Sequence, residues 1–427
     1  MSMFQPTDEP GTTIATLANG VRVLAIDLPG VASASVSVFV RTGSAHEGTK
    51  LNGISHVVEH MAFKGTRTRD CQRINLDAER LGAEVNAHTD KDHTAFHMRG
   101  LAEDAPRFVR MLGNIVREST FPADELERER RVILHEIADD EDDPLTIAFQ
   151  LFDQQSFGAH PAALPVIGRR ANIERFTRDD LLAYVQRQYS GANVVIGVAG
   201  AVTADAVLAA AEAAFGDLPR GQENALGEPA WVGGIATKRL VGSSQTHVVV
   251  GWPIASLVDD DPVGPVAAAV LGEGMSSPLL DRIRERKGLA YHTHCSADVL
   301  GRWGQFVIEA STAPEQLDEF CSEVGALLRE MAAGVEPVHL ERARNQLAVR
   351  SLRVSEQPYR RVEEAALDLL FLGRVRPRAQ SLARLRRVSA ARVMQAFESM
   401  RATPAAVAVT GRLPRFAAER VRERLAG

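Results

Sequence analysis

Cysteine is scarce in this chain of 427 residues: Cys71, Cys295 and Cys321 are its only three. Thiols so few and so far apart make neither a disulfide framework nor a cysteine-based metal site, and they read as ordinary thiols of a reduced compartment. Long apolar runs are missing too, so no segment is expected to cross a bilayer. Basic charge is not in excess: 49 Lys and Arg stand against 55 Asp and Glu, a net charge of −6. That balance leaves no overall footprint for nucleic acid or anionic lipid. The N-terminus, Met1-Ser-Met-Phe-Gln-Pro, has neither a basic region nor an apolar core, and the expectation is a cytoplasmic protein. Gly272-Glu-Gly-Met is a lone glycine turn with no phosphate-loop lysine after it, so a nucleotide role finds no support. Low-complexity sequence is absent. The nearest approach is the acidic run 139–143, which reads as a solvated helix end.

What remains is the composition of a globular chain, 45% apolar and 24% charged. It is long enough for two domains of roughly 200 residues each. Leu17 to Val40 reads as strand, turn, strand, broken by Pro29-Gly30. Helical spacing takes over at 53–64, closed by Gly65, and again at 71–81, 102–118 and 123–138. Strands are expected at 84–88, 94–98 and 193–200, with a helix capped by Thr203 after the last. A polar stretch with Pro and Gly, 221–234, is the expected linker between an N-terminal domain, 1–220, and a C-terminal domain, 235–427. The second half repeats the same order of elements, with a period of about 210 residues. The fold class expected is α+β: two homologous α/β sandwich-like domains from an internal duplication, each a mostly antiparallel sheet with helices packed on it.

The chemistry-bearing string is His56-Val-Val-Glu59-His60. Residues four apart share a helix face, and the residue three after the first stands beside them. Both imidazoles and the carboxylate thus project to one side, as a metal with two nitrogen ligands and a neighbouring base requires. Two surface histidines flanking a helix-stabilising glutamate would show the same letters. Gly53, Ile54, Met61, Ala62 and Phe63 make the helix mostly apolar, however, and burying such groups there is costly unless they are paired or metal-bound. A structural metal site would have no use for the glutamate. A third protein ligand is sought in Glu125-Leu-Glu-Arg-Glu-Arg-Arg-Val-Ile-Leu-His-Glu136, where Glu129 and Glu136 lie two helical turns apart on one face.

At this point the sequence resembles the pitrilysin / mitochondrial processing peptidase family of inverted H-x-x-E-H zinc peptidases, as a two-domain, bacterial-type member. Residues 52–66, Asn-Gly-Ile-Ser-His-Val-Val-Glu-His-Met-Ala-Phe-Lys-Gly-Thr, follow that family's core motif almost throughout. Gly82-Ala-Glu-Val-Asn-Ala-His-Thr, residues 173–193, Gly272 to Leu280, and Arg284-Glu-Arg-Lys-Gly-Leu-Ala-Tyr291 extend the likeness over nearly the whole chain. Val57-Val58 replace a commoner Phe-Leu, and Pro278 stands where a basic residue is usual, suited to a first helical turn after Ser276-Ser277.

The resemblance implies a metalloendopeptidase with one Zn2+ per chain. The ligands would be His56, His60 and Glu136, the last 76 residues after His60. Glu59 would be the catalytic base and Glu129 the residue that orients a ligand. Asn86 and Ala87 would lie on a strand that receives substrate as an added strand. Arg284 and Tyr291 would grip the substrate backbone. With only two domains per chain, that pair is expected to act across a homodimer closed around a chamber for short or unfolded peptides, with a related partner subunit as the alternative. A non-catalytic subunit of the same fold is the rival class, and the intact set His56, Glu59, His60 and Glu136 argues against it.

Overall fold

The computed structural model describes residues 3–426, which divide into two compact units. In the first, strands β1 (Met3–Gln5), β2 (Thr12–Thr16), β3 (Arg22–Asp27), β4 (Ser33–Val40), β5 (Glu84–Thr89), β6 (Thr94–Leu101) and β7 (Val194–Gly200) form one sheet in the order β1-β2-β3-β7-β4-β6-β5. In the second, β8 (Gly234–Arg239), β9 (Thr246–Ile254), β10 (Ala290–Val299), β11 (Gly304–Thr312) and β12 (Ala406–Gly411) form a sheet in the order β10-β11-β9-β12-β8.

The two orders are one topology. The series β3-β7-β4-β6-β5 recurs as β8-β12-β9-β11-β10. Each holds a single parallel pair, β3 with β7 and β8 with β12, among antiparallel neighbours. The same five-strand series, with its first strand parallel beside the last strand of its unit, occurring twice is the mark of duplication. It bears out the expected pair of homologous α/β domains, each built on a mostly antiparallel sheet.

The central strands are apolar on both faces because helices cover both. On one face of the first sheet Val36, Val38, Phe96 and Met98 pack with Ile54, Val58, Phe108 and Leu112. On the other, Phe39, Ala95, Val195 and Ala199 pack with Val362, Ala366 and Leu369. That second layer is the helix Pro358–Leu372, which comes from late in the chain. The helix Pro144–Phe157, from early in the chain, covers the corresponding face of the second sheet, with Ala148 and Phe152 against Val249, Val307 and Ala408. The units are therefore assembled from three segments each. Residues 138–163 lie in the second unit and 353–378 in the first, beyond what a single break at 221–234 describes. Hydrophobic periodicity shows that a helix has an apolar face, and it does not say which of two similar sheets that face will cover.

Two glycines let these helices lie close. A Cβ at Gly197 of β7 would stand 2.6 Å from Val362 Cγ1, and one at Gly251 of β9 would stand 2.8 Å from Phe152 Cζ. The late helix is further tied down by Arg361, buried in an ion pair with Glu9, whose other oxygen accepts from the Arg378 amide at 2.8 Å.

Most expected elements are present with their ends shifted; the first of the helices, expected at 53–64, spans Ile54–Ala62. The expectation contains no helix at 144–157 and no strand at 290–299. Strand β10, Ala-Tyr-His-Thr-His-Cys-Ser-Ala-Asp-Val, is an edge strand with exposed Tyr291, His292 and His294, so its polar composition hides it. The segment 278–286 is α-helical only over Pro278–Leu280 and widens into a π-helical turn over Asp281–Arg286. No helix among the described residues is long and apolar enough to cross a membrane.

Replacing Gly197 by Val forces overpacking against Val362 and is expected to lower stability by about 1–3 kcal/mol. Gly48, with open space around its Cα, serves as control: Gly48→Ala should stay within about 0.5 kcal/mol of the parent. Urea unfolding of the two variants measures both.

Candidate metal centre

The helix Ile54–Ala62 starts at Gly53, whose φ of 99° suits glycine and whose Cα closely approaches Gly168. Its first turn is capped from outside: Glu47 accepts hydrogen bonds from the amides of Gly53 and Ser55, both at 2.7 Å, and from Asn52 Nδ2 at 3.2 Å. Burial pushes the Glu47 carboxyl up to about 7, against the pull of those hydrogen bonds. The Tyr184 hydroxyl bridges Ser55 Oγ and Thr42 Oγ1, each at 2.7 Å. The helix is thus held rigidly at its start.

Its apolar face is buried, and His56, Glu59 and His60 emerge together on the other side. His56 and His60 are 16% and 17% exposed at their side chains. Their Nε2 atoms lie 3.2 Å apart. Glu136, from the helix Ala123–Asp142, brings Oε2 to 3.8 Å from His56 Nε2 and 3.6 Å from His60 Nε2. Donors about 2.0–2.2 Å from a tetrahedral zinc stand roughly 3.3–3.5 Å from one another. The triangle has that size, and two nitrogens with one carboxylate are a zinc-type donor set. Among the described residues it is the one group of three or more His, Cys, Asp or Glu whose donor atoms already lie within 4.8 Å of one another. Burial, helped by the neighbouring His60, holds His56 down at about 4, which keeps its imidazole in the neutral form that ligates.

Glu129, one heptad before Glu136, is buried and sets its Oε2 at 3.2 Å from His60 Nδ1, the ring nitrogen turned away from the donor triangle. Its other oxygen pairs with Lys64 at 2.8 Å. Glu59 is positioned by Thr89 of β5, whose hydroxyl donates to Glu59 Oε2 at 2.6 Å. Burial raises the Glu59 carboxyl above its ordinary range, while the Thr89 hydrogen bond and His60 pull it down and Glu136 pushes it further up. Sequence reading names neither Lys64 nor Thr89 as a site residue. Both lie inside the motifs that carry the family likeness, but only the tertiary contact gives them a task.

Of the other expected site residues, Asn86 and Ala87 lie on β5, an edge strand that pairs with β6 alone. Asn86 is exposed, and its Oδ1 accepts from the Ala87 amide at 2.8 Å. Arg284 and Tyr291 belong to the second unit. The Arg284 guanidinium sits 5.3 Å from the centre of the Tyr291 ring, and Tyr291 is 85% exposed at the point where the β10–β11 register slips. Pro278 opens a helical turn, capped by Ser277.

Two similar α/β units, one of them with two histidines and a glutamate converging at zinc-ligand spacing beside a buried carboxylate, define a two-domain protein of the zinc-peptidase class. Known proteins agree. The sequence profile of Insulinase (Peptidase family M16) matches residues 22–170, and that of the Peptidase M16 inactive domain matches residues 175–347. An uncharacterized zinc protease of Rickettsia felis is 30% identical over 85% of this chain and 89% of its own length. The uncharacterized zinc protease YmxG of Bacillus subtilis is 30% identical over 84% of this chain and 88% of its own length. The crystal structure of a protease from Helicobacter pylori superposes with a TM-score of 0.87 over 95% of this chain and all of that one, at 20% identity. The chain belongs to peptidase family M16.

Glu129→Gln removes the carboxylate that faces His60 Nδ1, and apparent zinc affinity should fall by about 10–100-fold. Competition against a chromophoric chelator measures the loss, with unchanged circular dichroism showing that the fold survives.

Proposed function

We propose that this chain is a zinc-dependent endopeptidase that hydrolyses short or unfolded peptides. The observation that carries the reading is the donor triangle of His56, His60 and Glu136, with Glu59 on the same helix face and its carboxylate already oriented by Thr89. The first three residues would hold the ion. Zinc bound there supplies Lewis acidity, in the form of an acidified water and a polarised peptide carbonyl. Glu59 would take the proton of the attacking water. Its Oε2 is engaged by Thr89, so Oε1 is the oxygen that receives it. Glu59 would then deliver it to the departing amine. His60 is kept in register by Glu129, and Glu129 by Lys64.

Substrate would be held by its main chain. The edge of β5 at Asn86 and Ala87 has no neighbouring strand and would pair with an extended peptide once the Ala87 amide leaves Asn86 Oδ1, and main-chain pairing is indifferent to most side chains. That suits an enzyme selecting by extension and fit more than by one sequence. Arg284 and Tyr291 would grip the same backbone. H-x-x-E-H occurs only in the first half of the chain, so the second half serves binding and not a second centre. We place the Arg284/Tyr291 pair opposite the zinc site of a second copy, in a homodimer that closes a chamber. A related partner subunit could fill the same place.

Cleavage of an unstructured peptide mixture by the purified chain should be stopped by a chelator. Glu59→Gln should lower it by at least about 10²–10⁴-fold while zinc stays bound. Loss of zinc in that variant would overturn the role given to Glu59. Mixing the inactive variants Glu59→Gln and Arg284→Ala should restore cleavage, since a mixed dimer contains one intact site. If the mixture stays silent while the parent cleaves, the pair does not act across the dimer. Silence from folded, zinc-loaded parent would point instead to a missing partner subunit.

A further inference from the structure

The hairpin β5–β6 carries a second group of imidazoles that the proposed reaction does not use. Adjacent residues of a strand point to opposite faces. Thr89 reaches Glu59 on one face of the sheet, and His88 points to the other, the face covered by the helix Pro358–Leu372. There His88 Nε2 lies 3.3 Å from His93 Nε2, with the ring planes at 90°. His97 packs beside them, its ring centre 5.6 Å from that of His88. His93 is 5% exposed, and its Nδ1 is engaged by the Asp92 carboxylate at 2.8 Å. Glu363, from the covering helix, acts electrostatically on both His88 and His93. Its side chain is 28% exposed and ion-paired with Arg360 at 3.0 Å.

Two features match the catalytic centre. The Nε2 separation of 3.3 Å is nearly that of His56 and His60, 3.2 Å. The outer nitrogen of His93 is held by a carboxylate, as that of His60 is by Glu129. Carboxylate–histidine pairs of this kind fix the tautomer and make the inner nitrogen a better ligand. Imidazole suits zinc, copper and nickel. We propose that His88 and His93 are a preformed half of a second divalent transition-metal site, completed by the Glu363 carboxylate turning away from Arg360. With the ion in place, edge strand β5 is tied to the helix across the sheet from Glu59's own hydrogen-bond partner, one residue away.

The alternative is a proton shared between the two imidazoles, with no metal. Zinc titration of the metal-free full chain, read as bound zinc at equilibrium dialysis, separates them. Two zinc ions per chain are expected in the parent and one in His88→Gln. His56→Gln, which disables the first centre, should still bind one, and that one should vanish in the double variant His56→Gln/His88→Gln. One zinc in the parent, or two in His88→Gln, overturns the proposal. Should His88→Gln fail to fold, Glu363→Gln decides: it should weaken the second zinc at least tenfold and leave the first unchanged. An unchanged second affinity overturns the site as assigned. Because the readout is stoichiometry and not cleavage, failure here is distinct from failure of the peptidase reading.

Discussion

The helix Ile54–Ala62 is nine residues long and gives six of its side chains to the core. Three are left, and they are His56, Glu59 and His60. Everything at the candidate centre depends on that division. With Ile54, Val57, Val58, Met61 and Ala62 packed inward, the helix has no freedom to rotate. The imidazoles therefore meet at 3.2 Å without any contact between them having to create the arrangement. Burying polar groups around such a helix is costly unless each is answered. Here Glu47 answers the N-terminal amides, Tyr184 answers Ser55, Glu129 answers His60 and Thr89 answers Glu59. His56 Nδ1 alone is left buried without a hydrogen-bond partner among these groups.

The sheet serves the helix in two ways. Its edge strand β5 delivers Thr89 to the base on one face and keeps a free edge for an extended chain. Its opposite face is sealed by a helix that arrives from more than 150 residues downstream of β7, drawn close by the bare backbone at Gly197. The second unit uses the same device at Gly251 with the helix Pro144–Phe157. A late segment therefore belongs to the unit that carries the zinc residues, and the early and late parts of the chain must both be present before either sheet has its two layers.

Much of this is legible in the residues because it is local. H-x-x-E-H places its groups by helix geometry alone, the Glu129/Glu136 heptad does the same on a longer helix, and alternating Val and Ser in β4 states its strand. Illegible are the features set by a distant partner. Thr89 and Lys64 are ordinary polar residues until folding sets them beside carboxylates. Strand β10 is polar because it is an edge, and pairing with β11, not composition, makes it a strand.

By itself the sequence determined most of the elements, the duplicated class of fold and the face on which two histidines and a glutamate stand, since each follows from the period of a helix or a strand. Tertiary structure alone decided that Glu136 Oε2 closes a triangle with two nitrogens and that Glu129 holds the outer nitrogen of one of them. It decided too that His88 and His93 face each other beneath a helix from another part of the chain. The physical reason is the same throughout. Periodicity sets the direction of a side chain relative to its own backbone, whereas a distance between side chains on different elements exists only once packing has fixed how those elements cross.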